Sequence, residues 1–489
     1  MNQRRTSSLL HFVFSNAVML MVLAWLMAPG FAAAAGDTGT VRTYRAPAGE
    51  ELSKDYTVIV QGRDVPVYVA RVGPADEQRR WKAMDDAINS ADYFDKASFA
   101  SFDMQGPVAV TIACPETVRS VKVLPTSYGL APQIEGKVLS FMLAQPRQVT
   151  IEVNGNWVGS LHLFANPMEV AVPQADDPNI IYFAPGIHEL REGLIVGDGK
   201  TVYLAGGAVL RGVDRGGPVV SLMGKNITLR GRGIIDGGLS PTHSRHLLFV
   251  RGSDITVEGV ILRDSSTWTL PIRQSDRVTV KNVKVLGYRA NSDGIDICNS
   301  RDVTVEGCFL RTLDDLIVVK SDRGQGEVRH IVATNCVLWN QVAHALSVGA
   351  ELRENVDDVL FTDCDVIHDT GREWSLRIYH CDSATISNVR FENIRIEESR
   401  KLISLWINAA IWSRDQERGH IKGVTFKNIR ATSPPPVRIE LQGFDATHGI
   451  EGVTFQKVQV NGVPMQPRDV KSNAFVKGVK VEPAATTQP

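Results

Sequence analysis

Three short phrases in the second half of the chain hold residues able to move protons. They are Asn291-Ser292-Asp293-Gly294-Ile295-Asp296, Leu313-Asp314-Asp315-Leu316 and Ala343-His344-Ala345-Leu346-Ser347-Val348-Gly349. Asp293 and Asp314 are 21 residues apart, and each precedes apolar text of similar form, DGIDICNS against DDLIVVKS. If one structural repeat separates them, Asp293 stands beside the Asp314–Asp315 pair. Three carboxylates that close cannot all ionise cheaply, so at least one keeps its proton near neutrality while others serve as bases. Cleaving a glycosidic bond needs that division of labour, with acid and base ~6.5–9.5 Å apart in inverting hydrolases and closer in retaining ones. An Asp-Asp pair or a lone histidine is commonplace on a solvated turn. The shared one-repeat register, with His344 on the repeat after, is what sets these residues apart. Asp296 reads as a contact to its own turn or to the next repeat.

The elements that position these residues come from an internal repeat. Apolar-x-apolar-x-(Gly/Asn/Asp)-apolar-x-apolar recurs as ITVEGVIL from Ile255, VTVKNVKV from Val278, VTVEGCFL from Val303 and IVATNCVL from Ile331. It continues as VLFTDCDV from Val359, VRFENIRI from Val389, VTFKNIRA from Val424 and VTFQKVQV from Val453, with a weaker copy, ITLRGRGI, from Ile227. The steps between the eight strong copies run from 23 to 35 residues. Alternation at period two means strand, and the fifth position carries residues that tolerate a bend. Such units cannot bury an apolar face alone and must stack. The expected fold is all-β, a right-handed parallel β-helix with strands ~4.8 Å apart. Cys308, Cys336 and Cys364 all fall at the sixth position, an inward ladder where thiols act as small hydrophobes.

Residues 36–177 lack the repeat. Longer strand-like runs, among them YTVIV (56–60), PVAVTIAC (107–114) and QVTIEVNG (148–155), predict a small β-sandwich, with Asn154-Gly155 as a hairpin turn. One segment, 80–94, reads as helical. Residues 1–35 read as a signal peptide: Arg4 and Arg5, an apolar run from Ala17 to Ala28, then Ala33-Ala34-Ala35. The expected division is thus 1–35 signal peptide, 36–177 sandwich, 178–465 β-helix and 466–489 a loose tail. Export is expected, to the periplasm or beyond, with no membrane attachment after cleavage. The 53 Lys+Arg balance 54 Asp+Glu, which gives no electrostatic reason to expect nucleic acid as a partner. No phosphate-binding glycine motif stands in a strand–helix context, and the histidines show no metal-ligand spacing. No cofactor and no metal are expected, and the chain is expected to be a monomer.

The ordered set Asn291-Ser292-Asp293-Gly294, Asp314-Asp315, His344 within AHALSVGA, and Arg377-Ile378 resembles glycoside hydrolase family 28, the polygalacturonase-like enzymes of the pectin-lyase-like β-helix. GIIDG (233–237) and SSTWTL (265–270) add to the likeness, which covers roughly 180–460. The resemblance implies an inverting glycosidase acting on a polysaccharide or oligosaccharide, with a pectic chain as first choice. Asp314 would be the general acid, Asp293 and Asp315 would activate water, and His344 would tune the acid. Asn291, Arg377, Tyr379 and Trp268 would contact substrate. Two departures stand out. The family's Arg-Ile-Lys reads Arg377-Ile378-Tyr379, which removes a point charge suited to a uronate and offers a ring suited to a neutral sugar. The family's Gly-His-Gly reads Ala343-His344-Ala345. The sandwich, ending in LHLFANP (161–167), also resembles the module before the β-helix in family 49 dextranases and isopullulanases.

Two rivals remain. A β-helix lyase would bind Ca²⁺ through carboxylates and use Arg377 or Lys320 as its base. A non-catalytic glycan-binding β-helix would carry its aspartates incidentally.

Overall fold

A computed structural model describes residues 39–85 and 93–483. The segment read as a signal peptide lies outside the described residues.

From Ile180 to Glu482 the chain winds as a parallel β-helix. A full coil contributes three strands. In the coil that begins after Asp293 these are Ile295–Cys298, Arg301–Glu306 and Phe309–Thr312. Each pairs in parallel with its counterpart one coil on, Ile295 with Ile317, Val303 with Ile331 and Phe309 with Val337. The first two strand positions join in one 22-stranded sheet, and the third forms a 12-stranded sheet.

The repeated phrase spans the second strand, a corner and the third strand. Val303 and Val305 are buried while Thr304 between them is partly exposed, as period two requires. The fifth residue turns the corner in the left-handed region: Gly259, Asn282, Gly307, Asn335, Asp363, Asn393 and Asn428 have φ between 52° and 81°. Asn and Asp tolerate this conformation better than other side chains, and Gly tolerates it freely. The sixth residue then points inward, and Cys308, Cys336 and Cys364 are fully buried there as free thiols, with no disulfide between them. At the third position Phe361, Phe391, Phe426 and Phe455 stack with ring centroids 5.1, 4.9 and 5.1 Å apart.

As far as it is described, to residue 483, the segment expected as a loose tail is ordered on the β-helix. After a turn at Pro467–Asp469, strands Lys471–Ser472, Val476–Lys477 and Lys480–Glu482 pair with the last coils. Val476, Val479 and Val481 pack on the core. Three valines in lysine-rich text suffice to cover the open end of a stack, which must be capped.

Residues 40–167 form two packed sheets of six and five strands around their own apolar core. Asn154 (φ 54°) and Gly155 (φ 78°) make the hairpin between Arg147–Val153 and Asn156–Pro167. The helix, Glu77–Asp85, starts before the expected segment because Asp76 Oδ1 accepts the Arg79 amide at 2.7 Å, capping its first turn. The sandwich packs on the third face of the β-helix, where Phe99 and Phe164 meet Leu286, Phe309 and Trp339. It also reaches the aspartate-bearing turns: Trp81 and Tyr93 pack against Leu313 and Val342.

Candidate active site

The chemically capable residues sit on turns that lead from the third strand of one coil into the first strand of the next. Ile295 pairs with Ile317, and Ile317 with Leu346, so the residues two places earlier line up as Asp293, Asp315 and His344. The ladder continues through the turns, with Gly294 N to Asp315 O at 2.7 Å and Leu316 N to His344 O at 2.9 Å. Asp293 therefore stacks on Asp315, not on Asp314. Thr269 N donates to Asp293 O at 2.7 Å, which puts Trp268 one coil before Asp293 in the same line. Asp314 stands one residue off the line. It is partly exposed, whereas Asp293 and Asp315 are 2% and 8% exposed.

One oxygen of each of Asp293, Asp314 and Asp315 lies within 4.8 Å of the others. Burial pushes the Asp314 carboxyl well above the usual carboxylate range, and Asp293 and Asp315 push it further. Asp315 is raised to about 8, by burial and then by Asp293. Two backbone amides hold Asp314 in place: Asp315 N to Oδ1 at 3.0 Å and Asn291 N to Oδ2 at 3.2 Å. Asn291 thus reaches the cluster through its main chain, from a left-handed corner at φ 54°. Asp293 Oδ1 is buried and has no hydrogen-bond partner among the described residues.

His344 closes one side. Its Nδ1 lies 2.5 Å from Asp315 Oδ1, and its Nε2 lies 3.0 Å from Arg377 Nη1. A guanidinium can only donate, so Nε2 accepts and Nδ1 carries the hydrogen toward Asp315. Burial first, then Arg377, lowers the imidazole to about 3. Arg377 also pairs with Glu373, and its guanidinium carbon sits 4.0 Å from the Tyr379 ring centroid. Tyr379 meets Trp406 edge-on at 5.0 Å.

Lys320 closes the other side, and its role was not legible beforehand. Its Nζ is 3.0 Å from Asp293 Oδ2, 3.1 Å from Asp296 Oδ1 and 3.9 Å from Glu351 Oε2. It also lies 3.9 Å from the Trp268 ring centroid. Burial alone would lower this ammonium, but Asp293, Asp296 and Glu351 outweigh it and hold it well above its ordinary value. The signal in the sequence was a lysine inside the apolar strand Ile317–Ser321. Asp296 does contact the next coil, as expected, and burial followed by Asp293 raises its carboxyl well above the ordinary value. Trp268, Arg273, Lys320, Glu351 and Arg414 line a cleft of ≈ 280 Å³ beside the cluster. The three clustered aspartates have spacing suited to a cation. Lys320 already supplies a positive charge there, and a calcium ion would need 6–8 oxygen ligands.

The fold that carries this site is shared by solved structures to which the chain is similar. Dex49A from Penicillium minioluteum aligns over 90% of this chain and 96% of its own, with TM-score 0.60 and 14% identity. The family 28 exopolygalacturonase of Yersinia enterocolitica aligns over 92% and 97%, with TM-score 0.51 and 14% identity. Both likenesses extend across the sandwich and the β-helix. Residues 198–484, more than half of the chain, match the glycosyl hydrolases family 28 model, and the chain belongs to that family. Among named relatives, a polygalacturonase of Chamaecyparis obtusa is 24% identical over 236 residues, 46% of this chain and 44% of the relative. An exopolygalacturonase of Zea mays is 25% identical over 278 residues, 50% of this chain and 64% of the relative. The chain spans less than two thirds of the length of each of these two relatives.

Proposed function

We propose that this protein hydrolyses glycosidic bonds in a polysaccharide or oligosaccharide. Asp314 is the general acid, and Asp293, with Asp315 once its own proton has been given up, activates the attacking water. The observation that carries this reading is the state of Asp314. It is the most open of three crowded carboxylates, and burial together with Asp293 and Asp315 raises its carboxyl well above the ordinary carboxylate range. A carboxylic acid kept neutral at working pH is what protonating a leaving-group oxygen requires. The unpartnered Asp293 Oδ1 offers a water its acceptor. His344 does not take the proton itself. It orients Asp315 and links it to Arg377, which with Asn291, Trp268 and Tyr379 surrounds the substrate.

The nearest-oxygen approaches, within 4.8 Å, measure different atoms from the carboxyl-to-carboxyl spacing of ~6.5–9.5 Å typical of inverting enzymes. Inversion therefore rests on the family resemblance, and the anomer released is its test. The lyase reading loses its bases. Lys320 is held charged by its acidic neighbours, and Arg377 is paired with Glu373. Relatives named for polygalacturonate cleavage support a pectic substrate, whereas Tyr379, under the Arg377 guanidinium and edge-on to Trp406, offers a ring where a cation would suit a uronate. The segment read as a leader at 1–35 supports an exported activity, and no described helix is long and apolar enough to cross a membrane.

Purified protein incubated separately with polygalacturonate, rhamnogalacturonan and dextran tests the reading. New reducing ends without ultraviolet absorbance are expected, with the anomer of opposite configuration appearing first by proton magnetic resonance. Absorbance rising with reducing ends marks an unsaturated product and overturns hydrolysis. Retained configuration overturns inversion alone.

A further inference from the structure

The sandwich touches each of the turns that carry the reacting cluster. Phe94 meets Tyr288, on the turn that carries Asp293, with ring centroids 5.0 Å apart. Leu313, next to Asp314, packs against Trp81 and Tyr93. Gln341, on the turn that carries His344, donates from Nε2 to the Gly73 carbonyl at 3.0 Å. Gln341 is fully buried, and its Oε1 has no hydrogen-bond partner among the described residues. The fit at Gly73 is close. A Cβ there would lie 2.8 Å from Leu313 Cδ1 and 3.0 Å from Gln341 Oε1. The backbone of Gly73 is outside the left-handed region, so a side chain lacks space there rather than an allowed conformation.

Arg311 holds the Asp314 turn from its strand side. It lies in strand Phe309–Thr312 and is fully buried. Its Nη1 donates to Ser160 Oγ at 3.1 Å and to His162 Nε2 at 3.0 Å, and its Nη2 donates to the Val158 carbonyl at 3.2 Å. All of these acceptors belong to the sandwich strand Asn156–Pro167. Because Nε2 of His162 accepts, its Nδ1 carries the hydrogen and donates to Thr150 Oγ1 at 2.8 Å. The guanidinium carbon sits 3.7 Å from the ring centroid of Trp339, which pairs with Arg311 one coil on and leads into Gln341. No carboxylate pairs with Arg311 among the described residues, and its Nε is unpartnered. Burying an unpaired cation costs stability where a packed apolar side chain would not. What the planar fork supplies is direction. Thr312 carries that placement forward, its Oγ1 donating to the Asp314 carbonyl at 3.0 Å.

We infer that the sandwich is part of the reacting centre, and that Gly73, Gln341 and Arg311 are positioning residues that set how Asp314 and Asp315 lie against Asp293 and His344. The inference rests on the glycosidase reading and assigns the sandwich its part in that reaction. The strand ladder fixes where each turn begins and ends. It leaves the path between open, and the sandwich is the wall against which that path is seated. Gly73 sets the depth of Leu313 and Gln341, and Arg311 anchors the strand end from which Asp314 and Asp315 project.

The test uses the full chain with three separate substitutions. Gly73→Ala pushes on Leu313 and Gln341, Gln341→Leu removes the bond to Gly73, and Arg311→Lys keeps a charge but loses the fork. Each variant is followed by thermal unfolding, by kcat and KM on the glycan that the wild type hydrolyses, and by infrared titration of the protonated carboxyls without substrate. In folded protein kcat should fall about tenfold or more, as small displacements of reacting groups do. KM should stay within about twofold, because none of the three residues lines the cleft beside the cluster. The carboxyl titration should move as well, since the spacing of the aspartates sets it. Adding Leu313→Val, which withdraws the Cδ1 that the new methyl meets, should recover most of the kcat lost in Gly73→Ala. If Arg311→Lys does not fold, Gly73→Ala and its rescue decide the matter. Variants that melt lower yet keep kcat and the carboxyl titration overturn the positioning role and keep the hydrolase. Wild-type protein that hydrolyses no glycan, but whose titration moves in Gly73→Ala and returns with Leu313→Val, sinks the hydrolase and keeps the positioning role.

Discussion

The β-helix buries two clusters of carboxylates, and they are built on opposite terms. Where the sandwich meets the third face, Glu50, Asp236 and Asp264 face Arg71, Arg211 and Arg263. Arg263 reaches Asp236 at 2.5 Å and Glu50 at 2.7 Å, Arg211 reaches Glu50 at 2.8 Å, and Arg71 reaches Asp264 at 2.5 Å. Burial alone would raise Asp236, yet Arg263 and Arg211 hold it below its ordinary value. Asp264 ends above its ordinary value, burial outweighing Arg71. In the other cluster Asp293, Asp296, Asp314, Asp315 and Glu351 share Lys320, and His344 is neutral. There the aspartates Asp296, Asp314 and Asp315 are all raised. Burial is common to both places. The ratio of acid to cation differs, and a deficit of cations is what leaves a proton available for transfer.

The largest expected effect comes from taking that proton away. Asp314→Asn should lower kcat by about 10²–10⁴-fold, the range for a lost general acid. The melting temperature should hold or rise, because the variant relieves carboxylate crowding. Activity measured beside thermal unfolding checks both, and unchanged turnover would sink the assignment of Asp314. Arg263→Met should show the reverse pattern. It removes the nearer of the two guanidiniums that Asp236 and Glu50 share, leaving Arg211 alone to face both, at a cost of up to about 3–5 kcal/mol seen as a lower urea midpoint. Turnover per folded molecule should stay as it was, because Arg263 lies away from the aspartate turns.

Dependence on pH separates the clusters next. Asp315 moves from 3.8 in the unfolded chain to about 8 in the fold. Its stabilisation is complete below 3.8 and is lost as pH rises through about 8. His344 falls from 6.5 to about 3, so its contribution is complete above 6.5 and is lost as pH falls toward 3. Asp315→Asn should therefore gain melting temperature relative to wild type as pH climbs from 4 to 8. Asp236 sits below its ordinary value, so its contribution is lost only in acid. The deficit of Asp236→Asn should stay level over that same range. Parallel melting curves for wild type and Asp315→Asn across pH 4–8 would show that Asp315 is not raised.

The sequence displays one of these clusters and hides the other. Asp293, Asp314, Asp315 and His344 each precede a strand of the same repeat, so period and register bring them together before any coordinates do. The register was one residue off, since turn lengths decide whether Asp314 or Asp315 stacks on Asp293, and periodicity does not resolve that. The left-handed corners were legible because Gly, Asn and Asp recur there; Lys457, at φ 53°, takes the same corner without that signature. Arg263 and Glu50 are 213 residues apart in different domains, so no local pattern links them. Lys320 was legible only as a candidate lyase base and not as the partner of Asp293 and Asp296, and the valines that cap the C-terminal end only as scattered apolar residues.

Asp296→Asn is the smallest effect expected and the sharpest discriminator. Asp296 lies in the acid-rich cluster, fully buried, 3.1 Å from Lys320, yet burial and Asp293 hold it well above its ordinary value. If it is protonated at neutral pH, the amide replaces it almost isosterically, and Lys320 keeps Asp293 and Glu351 as partners. Stability should then change by less than about 1 kcal/mol, well under the cost of breaking a buried ion pair. Turnover should move only a few-fold, because Asp296 faces Lys320 and is not one of the three mutually close carboxylates. A loss of several kcal/mol in urea unfolding would mean that Asp296 is ionised and paired with Lys320 as tightly as Asp236 is with Arg263. The two clusters would then differ in their chemistry but not in how they hold charge, and the proton on Asp314 would need a cause other than a shortage of cations.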